Sequence, residues 1–225
     1  MKLYMHLAST TSRAVAFFVS DNNLPVTFQT VDIFSGEHVR EPFISLNPNQ
    51  LIPVLDDDGF ILTESSAILK YLAEKTGSPA YPQELQKRAR VNETMDWFNS
   101  NLYRDYGYGL IYPQVFPSHK RPSEESQRVT VAWGKEKSEF WLKVLNDHII
   151  GSKRNFLCGD SITIADYFGF AIIQVGEVIG CKFSSYPNID RWLRTMEARP
   201  AYAKTFEVIK GFAKSLEGQK FVAIS

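Results

Sequence analysis

The chain has 225 residues, 44% of them hydrophobic, enough to bury one large core or two modest ones. Its 25 Lys/Arg and 25 Asp/Glu balance, with five basic against nine acidic residues up to position 80 and twenty against sixteen after it, so neither part carries the basic field of a nucleic-acid binder. Two cysteines, Cys158 and Cys181, give no disulfide framework, apolar stretches are broken by Gln174 and Glu177 before they could span a bilayer, and the first residues lack a basic-then-apolar leader; a cytoplasmic protein is expected.

Residues 2–7 read as a first strand, and Ser9 to Arg13 lead into an apolar helical run from Ala14 to Val19. Residues 25–32 alternate like a second strand, and a short helix is expected near 39–46. A strand entered through Ile52-Pro53 then meets an acidic turn at Asp56-Asp57-Asp58-Gly59 and returns through Phe60-Ile61-Leu62. Thr63-Glu64-Ser65 opens the next helix, whose first N–H groups lack acceptors and can receive an anion. The order is β-α-β-α-β-β-α.

Gly77, Pro79 and Pro82 close this unit, which gives a first domain of residues 1–77, a linker of 78–84 and an all-helical domain of 85–225. Within the latter, residues 85–103 place Leu85, Ala89, Met95 and Leu102 on a buried stripe with Arg88 and Arg90 outside. Three prolines, at 113, 117 and 122, break the helical pattern, which resumes over 124–149. Thr163 followed by Asp166 forms a capping-box pattern, with Ile162 and Tyr167 placed as a hydrophobic staple.

Four spaced blocks carry a family resemblance: Ser9 with Ser12-Arg13-Ala14-Val15, Gly36-Glu37-His38, Asn47-Pro48 with Ile52-Pro53-Val54-Leu55, and Thr63-Glu64-Ser65 with Ala67-Ile68-Leu69. The chain resembles the cytosolic glutathione transferases, most closely the serine-type theta and delta classes. The capping box, Tyr186-Pro187-Asn188-Ile189-Asp190-Arg191-Trp192 and Arg199-Pro200-Ala201-Tyr202 are similar to the helical domain of that family, so only about the last fifteen residues stay unmatched. The resemblance implies an α/β thioredoxin-like domain followed by an all-α bundle, a homodimer, glutathione as co-substrate and no metal.

It also implies roles. Ser9 stabilises the glutathione thiolate, with Ser12 as the competitor whose plainer role is a helix cap. Glu64 and Ser65 take the γ-glutamyl ammonium and carboxylate, Ile52 pairs its backbone with the cysteinyl residue if Pro53 is cis, and His38 and Gln50 meet the glycyl carboxylate. Gln50 departs from the charged or histidine donors common there. A small apolar electrophile is expected against the aromatic-rich stretch after Trp97, with Asn101, Tyr103, Arg104 and Tyr108 as its polar contributors. Where theta enzymes often carry an arginine, this chain has Tyr103 with Arg104 next to it, so sulfatase-like and dehalogenase-like activities do not carry over. Open alternatives are a glutathione-dependent peroxidase or reductase and a non-catalytic binding or regulatory protein.

Overall fold

The computed structural model describes residues 1–225. Strands β1 (Lys2–Met5), β2 (Thr27–Thr30), β3 (Val54–Asp57) and β4 (Phe60–Leu62) form one sheet in the order β2-β1-β3-β4. β1 pairs parallel with β2, Leu3 opposite Phe28, and antiparallel with β3, Leu3 opposite Leu55. Period-two alternation divides the core. Leu3, Met5 and Leu55 face the main core, whereas Tyr4 and Val54 join a small cluster with Val31 and Phe43 on the other face. The hairpin turns through Asp58 and Gly59, both at positive φ, and the Asp56 carboxylate accepts the Gly59 N–H at 2.8 Å.

The first two strands are shorter than the sequence pattern predicts. After Met5 the chain turns: His6 Nδ1 accepts the Ala8 N–H at 3.0 Å and the His6 carbonyl accepts the Ser9 N–H at 3.0 Å. Helix α1 (Thr10–Asp21) follows, then a short 3₁₀ turn at Glu37–Val39 and α2 (Phe43–Leu46). α3 (Ser65–Lys75) completes the sheet domain.

The second half is helical. α4 (Leu85–Trp97) continues through π-type turns over Phe98–Leu102 and Arg104–Ile111 into α5 (Tyr112–Val115). The helical path therefore persists past Tyr112 and Pro113, which the proline pattern assigns to a break; Pro113, which has no N–H to donate, sits where the path changes from π-type to α-type turns. The real interruption spans Phe116 to Ser123. α6 (Glu124–Val144), α7 (Ile164–Gln174), α8 (Pro187–Glu197) and α9 (Tyr202–Ser215) follow. No helix is long and apolar enough to cross a membrane.

The start of α4 corrects the expected buried stripe. Leu85 is 78% exposed and Ala89 is exposed, because the first two turns protrude beyond the packed region; Val91, Met95 and Phe98 carry the buried face. Arg88, expected outside, folds back over the Tyr81 ring at 4.7 Å and donates to the Pro82 carbonyl at 2.8 Å.

α1 joins the two halves. Nine of its twelve residues are buried, since α3, α7 and α9 pack on it and its apolar residues share one core with Leu3, Met5 and Leu55 of the sheet. Phe17 and Phe18 meet the Tyr167 ring edge-on at 5.2 and 5.3 Å, and Asp21 at the end of α1 accepts from the Tyr167 hydroxyl at 2.7 Å and from Arg199 Nε at 2.8 Å. α7 is buried on every side, and its Asp166 carboxylate receives the Leu157 and Thr163 N–H groups at 2.8 Å each, the Thr163 hydroxyl at 2.9 Å and the Trp192 indole at 3.0 Å.

Candidate active site

Between the sheet domain and the helical domain lies a cleft of about 560 Å³. Ala8, Ser9, Thr10 and Thr11 form its floor at the start of α1, and Tyr103, Tyr108, Tyr112, Phe116 and His119 form the facing wall. A depression of similar volume on α8, around Asp190 and Arg194, has no hydrophobic lining and offers no place for an apolar reactant.

Ser9 is the N-cap of α1. Its extended backbone (φ −75°, ψ 126°) turns the side chain back, and its Oγ accepts the Ser12 N–H at 3.3 Å. With a lone pair used there, the Ser9 hydroxyl hydrogen points to Thr11 Oγ1 and can turn from it to a partner in the cleft. Ser9 Oγ rests 3.2 Å from Thr11 Oγ1, which donates to the Ile52 carbonyl at 3.2 Å. The cap assignment reverses the sequence expectation that gave this role to Ser12. Ser12 is fully buried, does not line the cleft, and its Oγ has no partner.

His38, Gln50 and Ile52 line the same cleft on the sheet-domain side. His38 Nδ1 is buried without a hydrogen-bond partner. Its loop is held by Asp32, whose carboxylate accepts the Phe34 and Ser35 N–H groups at 3.0 and 3.2 Å; these hydrogen bonds, Ser35 first, hold the Asp32 carboxyl below its ordinary range. Gln50 is presented at positive φ by buried Asn47, whose side chain donates to the Leu51 carbonyl at 2.7 Å and accepts the Asn49 N–H at 3.1 Å. The Ile52–Pro53 bond is cis, Pro53 is buried, and the Ile52 N–H has no acceptor within the chain.

Glu64 and Ser65 stand at the head of α3, outside the set of lining residues. Glu64 adopts φ 64° and ψ 111°, a conformation that side chains other than glycine rarely take, and makes no capping bond. Burial chiefly raises the Tyr108 phenol above its ordinary pKa, and the charge of Glu64 adds to that shift. Burial likewise raises Tyr103 and Tyr112, so all three phenols stay protonated at neutral pH.

The structure brings Tyr103 and Tyr108 to the cleft but not Asn101 or Arg104. Arg104 turns away because Asp105 takes its guanidinium, with Nε and Nη2 each 3.0 Å from the carboxylate that also accepts the Trp141 indole at 2.8 Å. The sequence reading missed Thr11, Phe116 and His119. Tyr108, Tyr112 and Phe116 recur every four residues, the spacing of one helix face, but Pro113 masked that periodicity. His119 packs on the Tyr112 and Tyr108 rings at 5.3 and 5.6 Å, and burial lowers its pKa, so it is neutral at pH 7.

Two family models match: the glutathione S-transferase N-terminal domain over residues 3–80 and the glutathione S-transferase C-terminal domain over residues 111–200. Mouse glutathione S-transferase theta-1 is 34% identical over 215 residues, covering 93% of this chain and 88% of that protein. Human glutathione transferase theta-2, solved in complex with glutathione and an unknown ligand, superposes with a TM-score of 0.84 at 29% identity, covering 100% of this chain and 93% of that one. A delta-class glutathione transferase from Nilaparvata lugens gives 0.81 at 32% identity, covering 95% and 96%. The chain belongs to the glutathione S-transferase family.

Proposed function

We propose that the protein is a glutathione transferase that binds glutathione in this cleft, stabilises its thiolate through Ser9 and directs it at an apolar electrophile. The observation that carries the reading is the Ser9 hydroxyl, held at the N-cap of α1 and lining the cleft opposite an aromatic wall. A thiol with pKa near 8.5 is only about 3% ionised at pH 7, so a useful nucleophile needs a shift of roughly two units, or about 2.7 kcal/mol. A hydrogen bond from Ser9 to the sulfur supplies part of this, and the field of the α1 N-terminus adds to it.

The recognition roles follow the chemistry of each position. The Ile52 N–H is free to donate to the cysteinyl carbonyl, and the Ile52 carbonyl keeps a lone pair beside the one Thr11 uses. Glu64 receives the γ-glutamyl ammonium and Ser65, at the head of α3, its carboxylate. His38 and Gln50 meet the glycyl end, and the unpaired His38 Nδ1 supports that placement. Tyr103 and Tyr108 belong to the acceptor wall, where displacement or addition joins the sulfur to the electrophilic carbon.

Residues 1–77 then serve as the glutathione-binding domain, 78–84 as the linker and 85–225 as the acceptor domain of a cytoplasmic homodimer. Exposed Phe60 on β4 and Val129, Trp133 and Phe140 on α6 support self-association, since apolar surface of this kind favours a partner. Cys158 lies against the Arg90 carbonyl of α4 and Cys181 beneath Tyr106, both away from the cleft, which argues against an enzyme thiol in a reductase cycle. Retention on immobilised glutathione, followed by aryl halide, epoxide, isothiocyanate and hydroperoxide acceptors, tests the reading. Failure to bind glutathione overturns it, and turnover of the hydroperoxide alone replaces it with a peroxidase.

A further inference from the structure

Arg13 is fully buried in α1 and forms no salt bridge. Its Nη1 donates to the Leu7 carbonyl at 2.9 Å and the Ala8 carbonyl at 2.8 Å, its Nη2 lies 3.3 Å from Thr10 Oγ1, and its Nε has no partner. The residues it grips are those of the loop that presents Ser9, and Ala8 and Thr10 line the cleft on either side of Ser9. The network continues across the domains, because the Tyr112 hydroxyl donates to Thr10 Oγ1 at 2.9 Å and lies 2.6 Å from the Tyr103 hydroxyl.

A charge taken from water without a countercharge is costly, and loses that cost when a negative group arrives nearby. The groups that face Arg13 are the phenols of Tyr112 and Tyr103, the more distant Glu177, and the Phe206 ring, whose centroid is 5.8 Å from Cζ. Burial lowers the Arg13 pKa to about 10, which leaves it cationic at neutral pH. The two phenols are protonated, so they do not neutralise it.

We propose that Arg13 is a positioning residue of the thiol site: it pins the Leu7–Thr10 loop behind Ser9, and its buried charge, which forms no salt bridge, is complemented by the thiolate of bound glutathione. The proposal rests on the glutathione-transferase reading above and adds a second source for thiol ionisation besides the Ser9 hydroxyl. A staple that merely held the loop would need only its hydrogen bonds. The charge is the part that reaches the sulfur.

Arg13→Gln keeps an amide donor for the loop carbonyls and removes the charge, whereas Arg13→Lys keeps both donor and charge. Glutathione affinity is measured by calorimetry, and the thiol pKa of bound glutathione by its thiolate absorbance across pH. The Gln variant should raise that pKa by about one unit, which lowers turnover about tenfold at pH values below it, with affinity changed less than about threefold. The Lys variant should stay near the parent. A parent-like thiol pKa in the Gln variant overturns the proposal, as does an equal rise in both variants, which would assign the effect to loop geometry.

If circular dichroism shows the Gln variant unfolded, the parent decides. A charge inside the protein is little screened, so its thiol pKa should change by less than about 0.3 units between about 0.02 and 0.5 M salt, and a larger change places the source at the surface. A parent that does not bind glutathione overturns the functional reading and Arg13 with it. A parent that binds and depresses the thiol pKa keeps that reading whatever the variants do.

Discussion

The Tyr112 hydroxyl donates to Thr10 Oγ1 at 2.9 Å, so the residue beside Ser9 is hydrogen-bonded across the cleft to the helical domain. The wall that would receive an acceptor and the floor that would hold the thiol are therefore mechanically linked. Tyr112 also meets the Tyr108 ring edge-on at 5.0 Å and the tilted His119 ring at 5.3 Å, which carries the link along the wall. Displacing the wall changes the support of Ser9 as well as the space for an acceptor.

Glu64→Ala and Ser65→Ala should each weaken glutathione binding by about 1.5–3 kcal/mol, the range for removing a hydrogen bond to a charged group. Thermal stability should change little for Glu64→Ala, since Glu64 is exposed and caps nothing. Calorimetry gives the affinity and circular dichroism the fold. Parent-like affinity in both variants, with intact spectra, moves the peptide's γ-glutamyl end away from α3.

Asp166 gives stability an unusual pH dependence. Burial, opposed by the four hydrogen bonds it accepts, pushes its pKa up to about 6, above an unfolded value near 3.9. Between these values the folded state holds more protons than the unfolded state. This group's contribution is therefore fully present below about pH 4 and is lost as pH rises through about 6, up to about 3 kcal/mol in all. Asp166→Asn lacks the titration and sets an amide against the Thr163 N–H, so it should be destabilising at every pH and most so at the acid end. Urea titrations of parent and variant from about pH 4.5 to 7 measure the difference; a difference constant with pH would show the carboxyl ionised throughout. Thr163→Ala should cost roughly 1 kcal/mol with glutathione affinity kept.

The sheet domain was legible because strand alternation, the Asp-Gly turn and the Ser9 and Ser65 helix starts are local features that the tertiary structure did not override. Ser9, His38, Gln50 and Ile52 lie on one cleft for the same reason: each occupies a loop or cap next to a short, patterned element. The aromatic wall was less legible. Reading proline as a helix breaker fails at Pro113, since a proline seated where π-type turns give way to α-type turns looks identical in sequence to one that ends a helix. Arg104 was misplaced because its partner Asp105 is adjacent in sequence but fixed by Trp141, thirty-six residues away. Leu85 reads as core by its side chain alone, and only the absence of a packed neighbour leaves it exposed.

Gly134 in α6 lies against Gly109, and a Cβ built on it would sit 2.4 Å from the Gly109 carbonyl carbon and 2.7 Å from the Leu110 nitrogen. Backbone cannot move aside as a flexible side chain can, so Gly134→Ala should cost about 1–3 kcal/mol. Gly109 lies between Tyr108 and Tyr112, so the displaced segment carries the aromatic wall of the cleft with it. Steady-state kinetics should show a raised KM for the electrophile and a smaller change for glutathione. A parent-like melting temperature would mean that the two helices separate freely and that their close approach does not shape the cleft.

Ser9 and Ser12 are separated by what each hydroxyl can reach. Ser9 Oγ lines the cleft and accepts the Ser12 N–H, so its hydrogen is free to turn from Thr11 to a sulfur; Ser12 Oγ is sealed inside α1. Ser9→Ala should raise the thiol pKa of bound glutathione by about one to two units and lower turnover at pH 7 by roughly one to two orders of magnitude, since each unit corresponds to about 1.36 kcal/mol. It should also destabilise the fold by about 1 kcal/mol through the lost cap, which urea titration reads separately from the thiol pKa. Ser12→Ala should leave the thiol pKa unchanged and, by removing a buried oxygen without a partner, leave stability equal or slightly higher. A thiol pKa raised by Ser12→Ala and not by Ser9→Ala would transfer the role to Ser12, and no change in either would leave the backbone N–H groups of α1 and the charge of Arg13 as the groups that ionise the thiol.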